Sequence, residues 1–350
     1  MTRPLRVGIL GATGVVGQRF IQLLDGHPQF TVTTLAASDR SQGKRFADAC
    51  TWRLPAAAPP WAGEMTVAAP APPLDCDLVF SSLPGDVAGD TETAFANAGY
   101  VVVSNSSPHR MDADVPLVIP EVNAEHLCLV DGRRGGFIVT NPNCTAIGVA
   151  LALAPLHARF GVAAVTLSTM QALSGAGYPG VSAMDVTDNV IPYIAGEEEK
   201  VERELGKLLG RAGAGGIEPA RFPVSAQCHR VAVQDGHLAA MWVRLEAAPD
   251  LDDVRRALAG FRGPPQDLGL HSAPDHPVLV RSEPDRPQPR LDRDAGDGMS
   301  VTVGKLARDA GGWYRMLVLS HNTIRGAAGA AVLNAELLVA RGWAAVRSEE

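Results

Sequence analysis

Three glycines at GxxGxxG spacing, in Gly11-Ala12-Thr13-Gly14-Val15-Val16-Gly17, join a short apolar run, Leu5 to Leu10, to a helix-like segment, Val15 to Leu24. The run has the length and flanks of a strand buried in a parallel sheet. Gly8 falls just before the turn. Glycines let the chain close tightly there and let backbone N–H groups reach a pyrophosphate at the helix N-terminus. Such spacing alone is weak, but in the first strand–turn–helix unit of a chain it points to dinucleotide binding through Gly11, Thr13, Gly14, Val15, Val16 and Gly17. A tight turn without a ligand is the alternative.

The pattern continues downstream. Phe30 to Ala37, Leu78 to Ser82, Tyr100 to Ser104 and Phe137 to Thr140 read as strands, Thr91 to Asn97 as helical, and Pro- and Ala-rich Leu54 to Pro73 as loop. Strands alternating with helices predict βαβ units and a parallel sheet. The second strand ends in Ala37-Ser38-Asp39-Arg40-Ser41-Gln42-Gly43-Lys44. NAD binders usually place an acidic residue here for the ribose hydroxyls, and NADP binders place Arg and small polar groups. Ser38, Arg40 and Ser41 suit a 2′-phosphate, while Asp39 would repel it. The reading favours NADP, with a solvated polar loop as the alternative.

After Asn143 the texture changes. Thr145 to Leu156 is a small-residue helix, Val162 to Gln171 a longer strand, Glu197 to Leu209 a charged amphipathic helix and Val231 to Glu246 a strand-rich stretch. Charged, Pro- and Gly-rich Glu283 to Asp297 reads as a loop. Val301 to Leu306 and Arg315 to Ser320 are strands, and the apolar helix Ala327 to Leu338 is expected to pack back on the first half.

A chain of 350 residues with 46% apolar and 20% charged residues has ample material for one large domain or two. Its net charge of −7 argues against nucleic acid as the main partner, because phosphate backbones need a basic face. The N-terminal residues have no secretory h-region, and no run of eighteen apolar residues occurs, so neither a signal peptide nor a membrane span is expected. Five scattered cysteines (Cys50, Cys76, Cys128, Cys144, Cys228) with no CxxC fit a reducing cytosol, without disulfide framework or structural zinc.

Asn141-Pro142-Asn143-Cys144-Thr145 joins a predicted strand to a predicted helix. A cysteine there lies near a helix N-terminus, where dipole and backbone donors favour thiolate, the form an acylating nucleophile needs. Cys76 and Cys128 lie near apolar runs and read as core or surface thiols. A nucleophile attacking a carbonyl needs a group that handles protons. Of nine histidines, His237 stands out in Arg230-Val231-Ala232-Val233-Gln234-Asp235-Gly236-His237, with Arg230 nearby to bind an anion. His229 adjoins Arg230, but strand alternation puts the two on opposite faces. His27, His157 and His271 read as surface or satisfied histidines. From the residues alone, His237 is as readily structural as catalytic.

Together these pieces resemble aspartate-semialdehyde dehydrogenases of the archaeal and fungal branch. The resemblance covers nearly the whole chain and rests on the order and spacing of GATGVVGQRF, SNSSPHRMDADVPLVIPEVN, NPNCT, QALSGAGYPG, IPYIAGEEEKVE, RVAVQDGH, RPQPRLDR and NTIRGAAGAAVLNAELL. It implies that Cys144 attacks the carbonyl carbon, His237 acts as acid and base, and Gln171 orients the substrate. It further implies that Arg230 pairs with the substrate carboxylate, Glu197 accepts its amino group, and Arg110, Asn143 and Lys200 bind phosphate. Asn322 would contact the nicotinamide end of NADP, with Ser174 and Gly175 close by.

The implied reaction is NADPH-dependent reductive dephosphorylation of 4-phospho-L-aspartate to L-aspartate 4-semialdehyde through a thioester, in lysine, threonine and methionine biosynthesis. The implied fold is α/β: a Rossmann-like NADP-binding domain, 1–143 completed by a C-terminal helix over 324–350, and a mixed α/β catalytic and dimerisation domain of the glyceraldehyde-3-phosphate-dehydrogenase-like type, 144–323. A cytoplasmic homodimer or homotetramer without metal is expected. Two rivals stay open: a malonyl-CoA reductase on the same machinery, and a non-catalytic NADPH-binding redox sensor in which Cys144 is oxidised. N-acetylglutamyl-phosphate reductase is a more distant resemblance.

Overall fold

The computed structural model describes residues 3–133, 135–213 and 215–344. Its first half holds five strands, β1 (Leu5–Leu10), β2 (Phe30–Ala36), β3 (Leu78–Ser81), β4 (Val101–Ser104) and β5 (Phe137–Thr140). They form one sheet in the order β2-β1-β3-β4-β5, parallel throughout. β3, β4 and β5 are buried at every position, as strands covered on both faces require. The helix Val15–Leu23 follows β1 directly.

The helix Gly85–Asn97 begins six residues before the expected Thr91. Gly85 and Asp86 look like turn residues, but Pro84 presets the entry and Asp86 favours the first helical turn. Two segments expected to be loop contain short helices, Pro60–Glu64 and Pro289–Asp292, each opened by its own proline.

One π-type turn, Ile324–Ala328, leads into the helix Gly329–Ala340. Ala331, Val332, Leu333 and Leu337 of that helix share one apolar cluster with Phe20, Leu78, Phe80 and Val103. The chain therefore returns to the parallel sheet as expected. Residues 1–2 and the 345–350 end of the expected C-terminal helix lie outside the described residues.

The second half holds β6 (Val162–Gln171), the small hairpin β7 (Arg211–Gly213) and β8 (Gly216–Glu218), β9 (Val224–Arg230), β10 (His237–Leu245), β11 (Val278–Val280), β12 (Val301–Arg308) and β13 (Tyr314–Ser320). Six of them form a mixed sheet, β11-β12-β13-β10-β6-β9. The helix Cys144–Phe160 packs on one face, placing Ile147, Ala150 and Leu153 in a cluster with Leu167, Met241 and Val318. Its small residues permit close approach: a Cβ at Gly148 would sit 2.6 Å from the Ser320 hydroxyl oxygen. The helix runs past Pro155 to Phe160, beyond the expected Leu156. The other face stays open, with Thr166, Trp242, Arg244 and Arg315 exposed.

Register determines what meets at the sheet's end. β6 and β9 run parallel with Gln171 opposite Arg230, and β10 runs antiparallel to β6 with Leu238 opposite Met170. β13 pairs with β10 so that Ser320 faces His237. Gln171, Arg230 and His237 therefore converge on one edge. The expected strand-rich stretch Val231 to Glu246 is strand only over His237–Leu245. Residues 231–236 form the connection between β9 and β10, and Gly236, at φ 103°, adopts a conformation that favours glycine.

Candidate active site

Cys144 is the first residue of its helix. The preceding Asn143 caps it, its Oδ1 accepting from the N–H groups of Thr145 (2.8 Å) and Ala146 (3.1 Å); such a cap contributes about 1 kcal/mol. The Cys144 N–H has no acceptor among the described residues and remains a donor beside the thiol. Gly326, in the π-type turn, packs against the cysteine: a Cβ there would meet Cys144 Cβ at 2.8 Å.

His237 Nε2 lies 3.3 Å from Cys144 Sγ. The Ala172 N–H donates to His237 Nδ1 at 3.1 Å. A neutral ring so held carries its proton on Nε2, toward the sulfur. The Ala172 carbonyl accepts from Arg230 Nη1 at 2.7 Å, so the backbone of one residue positions both His237 and Arg230. Gly175 leaves room for them; a Cβ there would lie 2.8 Å from Arg230 Nη1 and 2.9 Å from His237 Cε1.

The helix Glu197–Leu208 turns a charged face inward. Glu197 Oε1 accepts from Asn143 Nδ2 and Gln171 Nε2, both at 3.0 Å. Glu204 accepts from Arg110 Nη1 at 3.0 Å and from the Asn143 N–H at 2.5 Å. Lys200 is half-buried on the same helix; its N–H donates to the Gly196 carbonyl, and its ammonium makes no hydrogen bond among the described residues. Cys144, His237, Gln171, Asn143, Glu197, Arg110 and Arg230 thus form one contiguous constellation, with Lys200 at its side.

Burial, reinforced by Glu197, pushes the Cys144 thiol up to about 12, against the pull of Arg110 and Arg230. Burial, with Arg230 and His321 adding to it, lowers His237 to about 3. The thiol is half-buried, so water on its open side moderates the push. The direction reverses the expectation that a helix N-terminus yields thiolate. A dipole acting through one turn is outweighed by burial beside a carboxylate, and near neutrality the pair is thiol and neutral imidazole.

The glycine turn borders a cleft of about 910 Å³ lined by Gly11, Thr13, Gly14, Val15, Ser38, Asp39, Arg40 and Ser41. Gly11, at φ 80°, has Ser82 O only 2.8 Å from where a Cβ would be, and a Cβ at Gly17 would lie 2.3 Å from Gly11 O. The N–H groups of Val15, Val16 and Gly17 have no acceptor among the described residues, the arrangement that receives a pyrophosphate. The Val16 side chain packs against the apolar cluster, so only its backbone serves the turn. Ser38 and Arg40 are exposed at the lip, and Ser41 is buried.

Asn322 sits between the two regions. Its Oδ1 accepts from the Gly236 N–H, and its Nδ2 donates to Ser174 Oγ, both at 2.8 Å. Across the cleft the Arg53 guanidinium lies 3.9 Å from the Tyr178 ring centre. Sequence reasoning did not single out Glu204, Lys207, Gly326 or the Arg53–Tyr178 pair. For Glu204 and Lys207 the signal was helical spacing, four and seven residues beyond Lys200, on the face that carries Glu197.

Two family models match, "Semialdehyde dehydrogenase, NAD binding domain" over residues 6–130 and "Semialdehyde dehydrogenase, dimerisation domain" over 153–325. The chain belongs to the semialdehyde dehydrogenase family. It is 53% identical to the aspartate-semialdehyde dehydrogenase of Methanothermobacter thermautotrophicus over 95% of this chain and 99% of that one. With the Candida albicans aspartate-semialdehyde dehydrogenase it shares 46% identity over 96% and 98% of the two chains. The crystal structure of the Candida albicans enzyme with NADP superposes with a TM-score of 0.91 at 44% identity, covering 97% of this chain and 99% of that one.

Proposed function

We propose that Cys144 is the nucleophile and His237 the proton-handling group of an NADP-dependent aspartate-semialdehyde dehydrogenase. The chain is an aspartate-semialdehyde dehydrogenase by family and by its similarity to relatives across nearly its whole length. The observation that carries the residue roles is the 3.3 Å approach of His237 Nε2 to a cysteine at a capped helix start.

Cys144 Sγ gives up its thiol proton as it attacks the acyl carbon of 4-phospho-L-aspartate, and that proton leaves with the phosphate. The oxyanion that develops meets the Cys144 N–H, a preorganised donor. The bond to phosphate breaks, the phosphate leaves toward Arg110 and Lys200, and a thioester remains on Cys144. Bound NADPH supplies the hydride, and the Val15–Gly17 N–H groups with Arg40 and Ser41 would hold its phosphates. When the aldehyde departs, His237 Nε2–H stabilises the released sulfur. Arg230 receives the substrate carboxylate through guanidinium donors not used by Ala172. Glu197 meets the amino group, and Gln171 orients the acyl portion.

The proposed division places 1–143 with the helix after 324 on the cofactor side and 144–323 on the catalytic side. The dimerisation-domain match supports a dimer, and the open face of the mixed sheet around Trp242 is the proposed contact. Among the described residues no helix is long and apolar enough to cross a membrane; the proposed compartment is the cytoplasm.

The test is phosphate-dependent reduction of NADP by L-aspartate 4-semialdehyde, for wild type and Cys144→Ser. Activity that needs phosphate and is lost in the variant is expected. A wild type inactive here that oxidises NADPH with malonyl-CoA would overturn the substrate.

A further inference from the structure

We propose that Glu204 is a positioning residue for the phosphate side of the reaction: it aims the Arg110 guanidinium and sets the turn that carries Cys144, while Lys207 fixes the backbone from which Arg110 projects. The inference rests on the reading that Arg110 contacts phosphate.

Glu204 is 2% exposed, and both of its oxygens have partners. Oε1 accepts from Arg110 Nη1 at 3.0 Å, and Oε2 accepts from the Asn143 N–H at 2.5 Å. One carboxylate therefore bridges a cation on one loop and the cap residue of the nucleophile's helix. Arg110 Nη2 donates to the Asn105 carbonyl at 2.7 Å, so the guanidinium is held at two points and cannot swing about its long stem. Three residues along the same helix face, Lys207 Nζ donates to the carbonyls of Arg110, Asp112 and Val115, each at 2.8 Å. The lysine is 6% exposed. It meets all three of its hydrogen-bonding needs with the loop backbone and so leaves no donor for a ligand.

Two features separate this arrangement from simple filling of the interior. First, the atoms Glu204 touches belong to the site: Arg110 is close enough to Cys144 to draw its thiol downward, and Asn143 caps the Cys144 helix. Second, Glu204 has no substrate-facing oxygen left, whereas Glu197, seven residues earlier, shows hydrogen bonds from the site amides to Oε1 only. Helical spacing thus sorts the inward carboxylates into one that can face substrate and one committed to aiming its neighbours.

A glutamine at 204 keeps the shape but cannot accept at both ends: its amide hydrogens would oppose either the guanidinium or the Asn143 N–H. The experiment measures initial rates of phosphate-dependent NADP reduction for Glu204→Gln, Glu204→Asp, Arg110→Met and the Glu204→Gln/Arg110→Met pair, with a melting curve for each. Glu204→Gln is expected to raise the KM for phosphate about tenfold, the scale of one displaced charge-assisted hydrogen bond. Its KM for NADP should stay within about twofold, and Glu204→Asp should raise the phosphate KM by a smaller factor, about threefold. In the Arg110→Met background Glu204→Gln should add less than about twofold, because the two act through one contact. An unchanged phosphate KM in Glu204→Gln, or in Glu204→Asp should the glutamine variant not fold, overturns the proposal while Arg110→Met still raises it. An undiminished effect of Glu204→Gln in the Arg110→Met background overturns it as well. If Arg110→Met itself leaves the phosphate KM unmoved, the reading of Arg110 fails first and the proposal falls with it.

Discussion

The turn after β1 and the end of the mixed sheet are both polar, but they are built in opposite ways. At the turn, recognition comes from what is missing. Gly11 and Gly17 have no room for a Cβ, and the N–H groups of Val15, Val16 and Gly17 stand without protein acceptors beside an open cleft. At the sheet's end almost every polar group is engaged with another: Glu197 with Asn143 and Gln171, Glu204 with Arg110 and Asn143, and the Ala172 N–H and carbonyl with His237 and Arg230. The cofactor side is a cradle that glycine spacing can specify. The substrate side is an interlocked set in which each group's aim depends on its neighbours.

Substitutions should therefore separate the two sides. His237→Asn should lower kcat by roughly 10³-fold, within the range for losing a positioned acid–base group, while NADP affinity measured by fluorescence titration stays unchanged. An equal loss of NADP affinity would show that the two sides are not independent. Gly175→Ala should come next. Its methyl would crowd Arg230 and His237 together, and a displacement of that kind costs about 10² in kcat/KM. Stopped-flow turnover near the wild-type rate would mean that the packing is slack.

The titration of the pair supplies a sharper contrast. With the thiol raised to about 12 and His237 lowered to about 3, the thiolate fraction between pH 7 and 9 should grow about tenfold per pH unit. Iodoacetamide labelling of Cys144, followed by peptide mass spectrometry, should rise with that slope. A plateau by pH 7 would mean a preformed thiolate. His237 also adds a sign to acid stability. Its folded value lies below the usual histidine value, so the unfolded chain binds the extra proton and stability falls as pH drops from about 6.5 toward about 3. The smallest effect belongs to the cleft's far edge. Tyr178→Ala removes the stacking of Arg53, worth about 1 kcal/mol or less, and should raise the KM for NADP by about threefold with kcat unchanged.

The same contrast governs what could be read from sequence. β1, β5 and β6 run over the residues that periodicity marks, because each is a short apolar run with clear flanks. The glycine turn was legible because its spacing marks the close approaches at Gly11 and Gly17. The strand–helix junction that holds Cys144 was legible, whereas His237 stayed as readily structural as catalytic until the fold set its Nε2 3.3 Å from Cys144 Sγ. The stretch after Val231 misled because Val231-Ala232-Val233 has strand propensity, yet Asp235-Gly236 turns the chain. Glu204 and Lys207 lie on a helix that reads as charged and amphipathic, and only tertiary packing reveals that these two charges face inward. The thiol's protonation was misjudged because a helix start is local and visible, whereas burial beside Glu197 joins residues 53 positions apart. The contacts of the Ala172 backbone have no side-chain signature.

The most direct test of the account is to mix the protein with NADP and L-aspartate 4-semialdehyde without phosphate, quench, and map covalent adducts by peptide mass spectrometry. A near-stoichiometric acyl adduct on the Cys144 peptide, released when phosphate is added before the quench, is the predicted result. An adduct on Cys50, Cys76, Cys128 or Cys228 instead, or turnover in phosphate with no acylated Cys144, would contradict it.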